Sequence, residues 1–235
     1  MKMLDIYTPD EGGFSTFIYF HGGGLERGSR LGSGVGIIAK YLCDRGIAVV
    51  SAEYRLYPEA KYPDFICDAA DATGWVIDNI ASFGGNGKIY LGGSSAGGYL
   101  SMMLCFDSSY LEARGVNPDS ICGYVHNAGQ PTTHFNVLRE RGIDTRSCII
   151  DSAAPLYYVG RKKSYPPMVF IVSDNDMKCR LEQTRLMVAT MSHFECDTGG
   201  VELRLMHGRH CGHCYAIDEN GESVFGRMIY DLISK

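Results

Sequence analysis

Lys88-Ile89-Tyr90-Leu91-Gly92-Gly93-Ser94-Ser95-Ala96-Gly97-Gly98-Tyr99 is the stretch whose reading decides the fold. An apolar, β-prone run, Lys88 to Leu91, leads straight into glycines. An Ala/Leu/Met-rich run from Tyr99 to Cys105 follows. The order is strand, sharp turn, helix. Gly93-Ser94-Ser95-Ala96-Gly97 fits G-x-S-x-G with Ser95 central, and this context makes the motif a nucleophile elbow. The flanking glycines keep side chains out of a turn pressed between strand and helix. The hydroxyl then stands at a helix N-terminus, where backbone N–H groups and the helix dipole favour negative charge. The bland alternative is a glycine-rich turn with no chemistry.

Upstream, Phe17-Ile18-Tyr19-Phe20 is a second short apolar run, and it ends in His21-Gly22-Gly23-Gly24. Glycines let the backbone approach a reacting carbonyl and aim N–H groups at its oxygen. Gly23 and Gly24, with Ala96 just after the serine, are the expected oxyanion donors. A flexible hairpin loop is the alternative, but the position ahead of Ser95 at the end of a strand favours the chemical reading.

These segments together resemble the α/β-hydrolase superfamily, in particular its hormone-sensitive-lipase-like, acetyl-esterase (carboxylesterase) branch. Leu4-Asp5-Ile6-Tyr7-Thr8-Pro9 resembles the strand that precedes the HGGG strand there. Glu53-Tyr54-Arg55-Leu56-Tyr57-Pro58-Glu59 is similar to the branch's D-Y-R-L-A-P-E signature, with Glu53 for Asp and Tyr57 for Ala. Tyr62-Pro63 followed by Asp68, Ala69 and Trp75 resembles the helix leading to the elbow strand. The resemblance implies an α/β-hydrolase fold: a mostly parallel central sheet with helices on both faces. Because the HGGG strand comes so early, no N-terminal cap is expected.

Strand and helix patterns alternate along the chain, which independently argues for a parallel sheet covered on both sides. Strands are expected over 16–20, 47–52, 88–91, 121–125, 168–172 and 201–206. Helices are expected over 36–45, 65–80, 96–105, 181–191 and 224–233. One domain over 1–235 is expected, with a small cap inside 107–166. Within that region Asn127 to Arg146 is rich in polar residues after a strand end, where open α/β sheets carry binding loops. Its Gln130, Thr132, Thr133, His134, Asn136, Arg139, Glu140 and Arg141 are expected to favour a polar alcohol portion such as a sugar.

For the acid and base the resemblance is the guide. Met168 to Val172 ends in Ser173-Asp174-Asn175-Asp176, which falls on the family's G-E-x-D pattern. Asp176 is therefore the expected carboxylate and Asp174 the fallback. The base is expected in the loop His207-Gly208-Arg209-His210-Cys211-Gly212-His213-Cys214-Tyr215. His210 gives a slightly short loop. His213 makes Gly212-His213-Cys214-Tyr215, a family form, but needs a longer loop. His207 is too near the strand. One of His210 and His213 is the base; loop length leans to His210. His126 and His134 are the reserves.

The same loop spells Cys211-Gly212-His213-Cys214, the string of dithiol oxidoreductases and a possible zinc pair. A thioredoxin-like reading needs the motif beside an early strand, and here it lies late in a larger pattern. Cys43, Cys67 and Cys105 sit in helical apolar patterns and are expected in the core. Acyl transfer to water is the chemistry implied, on short-chain, foremost acetyl, esters, with acetylated sugars or xylan fragments as candidate substrates. An amidase or peptidase on the same triad, or a dithiol or metal-site protein, are the alternatives.

Composition narrows the partners. The 235 residues are 45% hydrophobic, enough for one sizeable core. A net charge of −5 without a basic run points away from nucleic acid and anionic membranes. No apolar run of about 18 residues exists, so no membrane span is expected. Nine scattered cysteines fit a reducing, cytoplasmic setting; a mature secreted form is the other reading. The partner is a small-molecule ester, and no metal or cofactor enters the chemistry.

Overall fold

The structure, a computed structural model, describes residues 3–32 and 34–235. Seven strands form one sheet: β1 (Leu4–Tyr7), β2 (Phe14–Phe20), β3 (Ile47–Ala52), β4 (Gly85–Ser94), β5 (Ile121–Asn127), β6 (Met168–Asn175) and β7 (Val201–Arg209). Their spatial order is β1-β3-β2-β4-β5-β6-β7. Only β1 runs antiparallel, against β3. The helices are α1 (Val35–Cys43), α2 (Asp64–Asn79), α3 (Ala96–Phe106), α4 (Ser109–Glu112), α5 (Phe135–Glu140), α6 (Arg180–His193) and α7 (Val224–Ile233).

Central strands carry near-continuous apolar runs because both faces are covered. In β2, Ile18 and Phe20 face the core under α2 and α3, while Phe17 and Tyr19 face α1 and α7. In β3, Ala48 and Val50 take the first side and Ile47 and Val49 the second. Period-two alternation thus feeds two cores from one strand. Helix α3 is buried along its whole length, which makes the segment behind Ser95 a rigid support.

The strands reach further at their C-terminal ends than their apolar runs predict. β4 continues through Gly92, Gly93 and Ser94, paired in parallel to Val125, His126 and Asn127 of β5. Glycine weakens a strand on intrinsic grounds, but ladder pairing on both sides overrides that preference. The added residues bring Ser94, Asn127, Asp174 and Arg209 to one edge of the sheet.

Glycine is obligatory where α3 meets β2. A Cβ on Gly97 would lie 1.9 Å from the Phe20 carbonyl oxygen. Gly97→Ala is therefore expected to destabilise the fold by about 3 kcal/mol, since rigid backbone must move to admit the methyl. A urea midpoint unchanged from the parent would contradict this close approach.

Segment 128–167 links β5 to β6 and carries α5 and a single 3-10 turn, Pro155–Tyr158. It docks on α3, where the Tyr99 hydroxyl donates to the Ala153 carbonyl at 2.8 Å. It also docks on the HGGG loop, where Asn136 Nδ2 donates to the Gly24 carbonyl at 3.0 Å.

Candidate active site

Ser95 sits between β4 and α3 with φ +56° and ψ −111°, a conformation that non-glycine residues rarely hold and that marks a constrained functional turn. Its backbone N–H donates to the Asn127 carbonyl at 2.8 Å, and its carbonyl accepts from Tyr99 N–H at 3.0 Å. The turn is thus clamped from both sides, and its side chain enters a cleft of about 640 Å³.

His210 follows β7 and approaches Ser95 from the far side of the sheet. Its Nε2 lies 2.9 Å from Ser95 Oγ, and its Nδ1 lies 2.5 Å from Asp176 Oδ1. An ionised carboxylate only accepts, so Nδ1 carries the proton and Nε2 accepts from the serine hydroxyl. Burial pushes the Asp176 carboxyl up. The hydrogen bond and charge of His210, with N–H bonds from Met177 and Ser173, outweigh it and hold Asp176 below the usual carboxylate range. The acid therefore stays ionised at neutral pH.

The other sequence candidates lie elsewhere. Asp174 takes the exposed His207 ring at 2.6 Å and Gly208 N–H at 2.9 Å, at the outer rim. His213 points away from Ser95; its Nε2 bonds Asn127 Oδ1 at 2.8 Å. His126 is buried against Tyr124 and Phe170, and burial lowers its pKa to about 3. His134 caps α5 by accepting Asn136 N–H. Neither reserve histidine reaches the cleft.

The HGGG loop curls beside Ser95. Gly23 has φ +128° and Gly24 φ +68°, and a Cβ on Gly23 would collide with the Arg27 carbonyl at 1.9 Å. Among the described residues neither Gly23 nor Gly24 N–H finds a backbone acceptor. Ala96 opens α3, so its N–H belongs to a first turn without intrahelical acceptors. Three backbone donors are thus available around the serine. The loop is held by residues that the signature comparison could only flag. Glu53 accepts from His21 Nε2 at 3.0 Å. Tyr54 donates its hydroxyl to the His21 carbonyl at 2.8 Å and stacks on the His21 ring at 4.3 Å. Arg55 grips the fully buried Asp68 through Nε at 2.8 Å and Nη2 at 3.0 Å.

One expectation is overturned. Gln130, Thr132, Thr133, His134 and Asn136 are buried and bonded internally rather than turned to a substrate. Once the chain leaves β5 these polar groups must satisfy backbone and each other inside the packed segment. What this segment presents to the cleft is Phe135 and Arg139. Glu26, ion-paired with Arg139, lines the cleft beside them, together with Arg27 and Ser29, and Met177 and Tyr215 complete the lining. Arg139 is one of the polar residues that the sequence reading expected to favour a polar alcohol; Glu26, Arg27, Ser29, Phe135 and Met177 were missed because none belongs to a motif. Cys105 is buried as expected, whereas Cys43 and Cys67 are only half-buried.

The BD-FAE family model matches residues 4–120 of the chain. A probable isoprenylcysteine alpha-carbonyl methylesterase of Arabidopsis thaliana, ICMEL2, is 34% identical over 116 residues, 48% of this chain and 27% of that protein. Esterase LipI of Mycobacterium tuberculosis is 37% identical over 97 residues, 41% of this chain and 30% of that protein. The chain thus covers less than a third of these two relatives. A thermophilic esterase of Thermogutta terrifontis, Est2, shares the fold with a TM-score of 0.74 at 23% identity, over 99% of this chain and 86% of that one. With its HGGG loop, serine elbow and mostly parallel seven-stranded sheet, the chain belongs to the α/β-hydrolase superfamily and is similar to its hormone-sensitive-lipase-like carboxylesterase branch.

Proposed function

We propose that this chain is a serine carboxylesterase that cleaves short-chain acyl esters, acetyl esters foremost, through Ser95, His210 and Asp176. The observation that carries this reading is the unbroken hydrogen-bonded line from Ser95 Oγ through the His210 ring to Asp176, at 2.9 and 2.5 Å, opening on a cleft. His210 takes the serine proton as Ser95 Oγ attacks the ester carbonyl carbon. Gly23, Gly24 and Ala96 N–H groups donate to the oxyanion as it forms. Protonated His210 then gives its proton to the leaving alcohol. Water, activated by the same ring, attacks the acyl-enzyme and releases the acid. Asp176 holds the ring in the required tautomer and stabilises its positive charge.

Segment 128–167 acts in this reading as a small cover, part of one domain with the sheet. Arg27 and the Glu26–Arg139 ion pair at the rim suit an ester of a polar alcohol such as an acetylated sugar or xylan fragment. The apolar part of the lining is short. Long acyl chains gain about 0.8 kcal/mol per buried methylene only where an apolar groove receives them. Among p-nitrophenyl esters from roughly two to twelve carbons, kcat/KM is expected to peak between acetyl and butyryl. A maximum at about eight carbons or beyond would refute the short-acyl reading while leaving the ester chemistry standing. No helix among the described residues is long and apolar enough to cross a membrane.

A further inference from the structure

Cys211 and Cys214 have no part in the ester-cleaving machinery, yet both line the cleft beside Ser95 and His210. The surroundings of Cys214 are specific. Ser94 Oγ accepts from the Tyr19 hydroxyl at 3.1 Å and from Asn127 Nδ2 at 3.0 Å. Its own proton is then free for Cys214 Sγ, 3.3 Å away. The second amide hydrogen of Asn127 points to the same sulfur at 2.9 Å. The Asn127 amide cannot be flipped without loss, because its Oδ1 accepts from His213 Nε2. Two donors converge on one sulfur, and the nearest oxygen already accepts twice. That arrangement suits a thiolate, which accepts, rather than a thiol, which must donate. Nδ1 of His213 is buried without a hydrogen-bond partner among the described residues, on the residue next to Cys214.

The electrostatics agree with this geometry. Burial pushes the Cys214 thiol up, but the hydrogen-bonding side chains of Cys211 and Ser94 and the adjacent His213 bring it well below the ordinary thiol range. Cys211 moves the opposite way, first through its hydrogen bond to Cys214 and then through burial. Cys211 has φ +54° and heads a 3-10 turn, Gly212–Cys214, that brings the two side chains together. Among the described residues no three His, Cys, Asp or Glu side chains converge as a metal-binding group.

We propose that Cys211 and Cys214 form a peroxide-reactive dithiol in the wall of the cleft, with Cys214 the sulfur oxidised and Cys211 the sulfur that closes the disulfide. The Cys214 thiolate attacks one peroxide oxygen. The O–O bond breaks, hydroxide leaves and takes up a proton, and Cys214 becomes a sulfenic acid. Cys211 then loses its proton and attacks the sulfenic sulfur. The S–O bond breaks, water departs and the S–S bond forms. Two thiols and one hydrogen peroxide give one disulfide and two waters; each sulfur supplies one of the two electrons that reduce the peroxide.

The test uses the reduced full chain, hydrogen peroxide near equimolar amounts, alkylation of the remaining thiols, and tryptic mass mapping. Cleavage after Arg209 and Arg227 leaves both cysteines on the peptide 210–227. That peptide is expected to lose about 2 Da and escape alkylation roughly ten-fold faster than the exposed Cys148 and Cys179 react, and dithiothreitol is expected to reverse the change. Oxidation of Cys148 and Cys179 first, with 210–227 still a dithiol, would overturn the proposal. In Cys211→Ser the sulfenic acid on Cys214 has no partner and is expected to be trapped by dimedone. Absence of a dimedone adduct on Cys214 in that variant would also overturn it. Neither readout needs ester turnover, so the proposal stands or falls apart from the esterase reading.

Discussion

Ser95→Ala is expected to lower p-nitrophenyl acetate turnover on the order of 10³-fold or more. In the proposed mechanism the substitution removes the attacking oxygen, 2.9 Å from the His210 ring. Stability should change by less than about 1 kcal/mol. Ser95 is half-buried, its backbone bonds to Asn127 and Tyr99 persist, and alanine meets the positive φ at much the same cost as serine. A fluorophosphonate probe provides a second readout: it should label the parent at Ser95 and leave the variant unlabelled. Near-full turnover by a cleanly folded Ser95→Ala protein would sink the mechanism, whatever esters the parent accepts.

His210→Ala should cost as much as Ser95→Ala, and the double variant should be little worse than either single one. Residues that act as one unit are not additive, because losing either member already disables the step. His213→Gln should retain most of the turnover. His213 is buried against Phe225 and bonded to Asn127, and glutamine keeps an N–H donor near that position. Measuring kcat for the four variants, with melting temperatures as a control for folding, decides the matter. Equal, complete loss in His210→Ala and His213→Gln at unchanged melting temperature would mean that the loop rearranges and that the hydrogen bonds to Ser95 and Asp176 are not those used in catalysis.

Much of this arrangement is legible in the sequence because its causes are local. Gly93 and Gly97 are readable because a crowded turn admits only glycine there, and the Cβ contacts to the Phe20 carbonyl bear that out. The apolar runs at Thr16–Phe20, Ile47–Ala52 and Met168–Val172 are readable because a strand buried on both faces has no polar positions to spare. The helical stretches near α1, α2 and α7 are readable for the corresponding reason, a recurrent apolar stripe. The short helices α4 and α5 escape notice, since one turn leaves too little periodicity to detect.

The sequence by itself determined the α/β order, the turn that presents Ser95, the glycine loop beside it and the loop expected to hold the base. Choosing between His210 and His213 was beyond it. Both lie in one short loop, and local pattern says nothing of which way each ring turns. Which ring meets Ser95 is a tertiary matter, because Cys211 between them adopts a left-handed backbone conformation. That reversal sends His210 toward Ser95 and Asp176 and turns His213 back toward Asn127 on β5. The same holds for the polar residues of 130–136. Their types are plain in the sequence, but whether a buried hydroxyl or amide faces ligand or protein depends on partners far along the chain, such as Gly24 for Asn136 and Asp151 for Thr133. Those partners exist only once the sheet has brought the strand ends together.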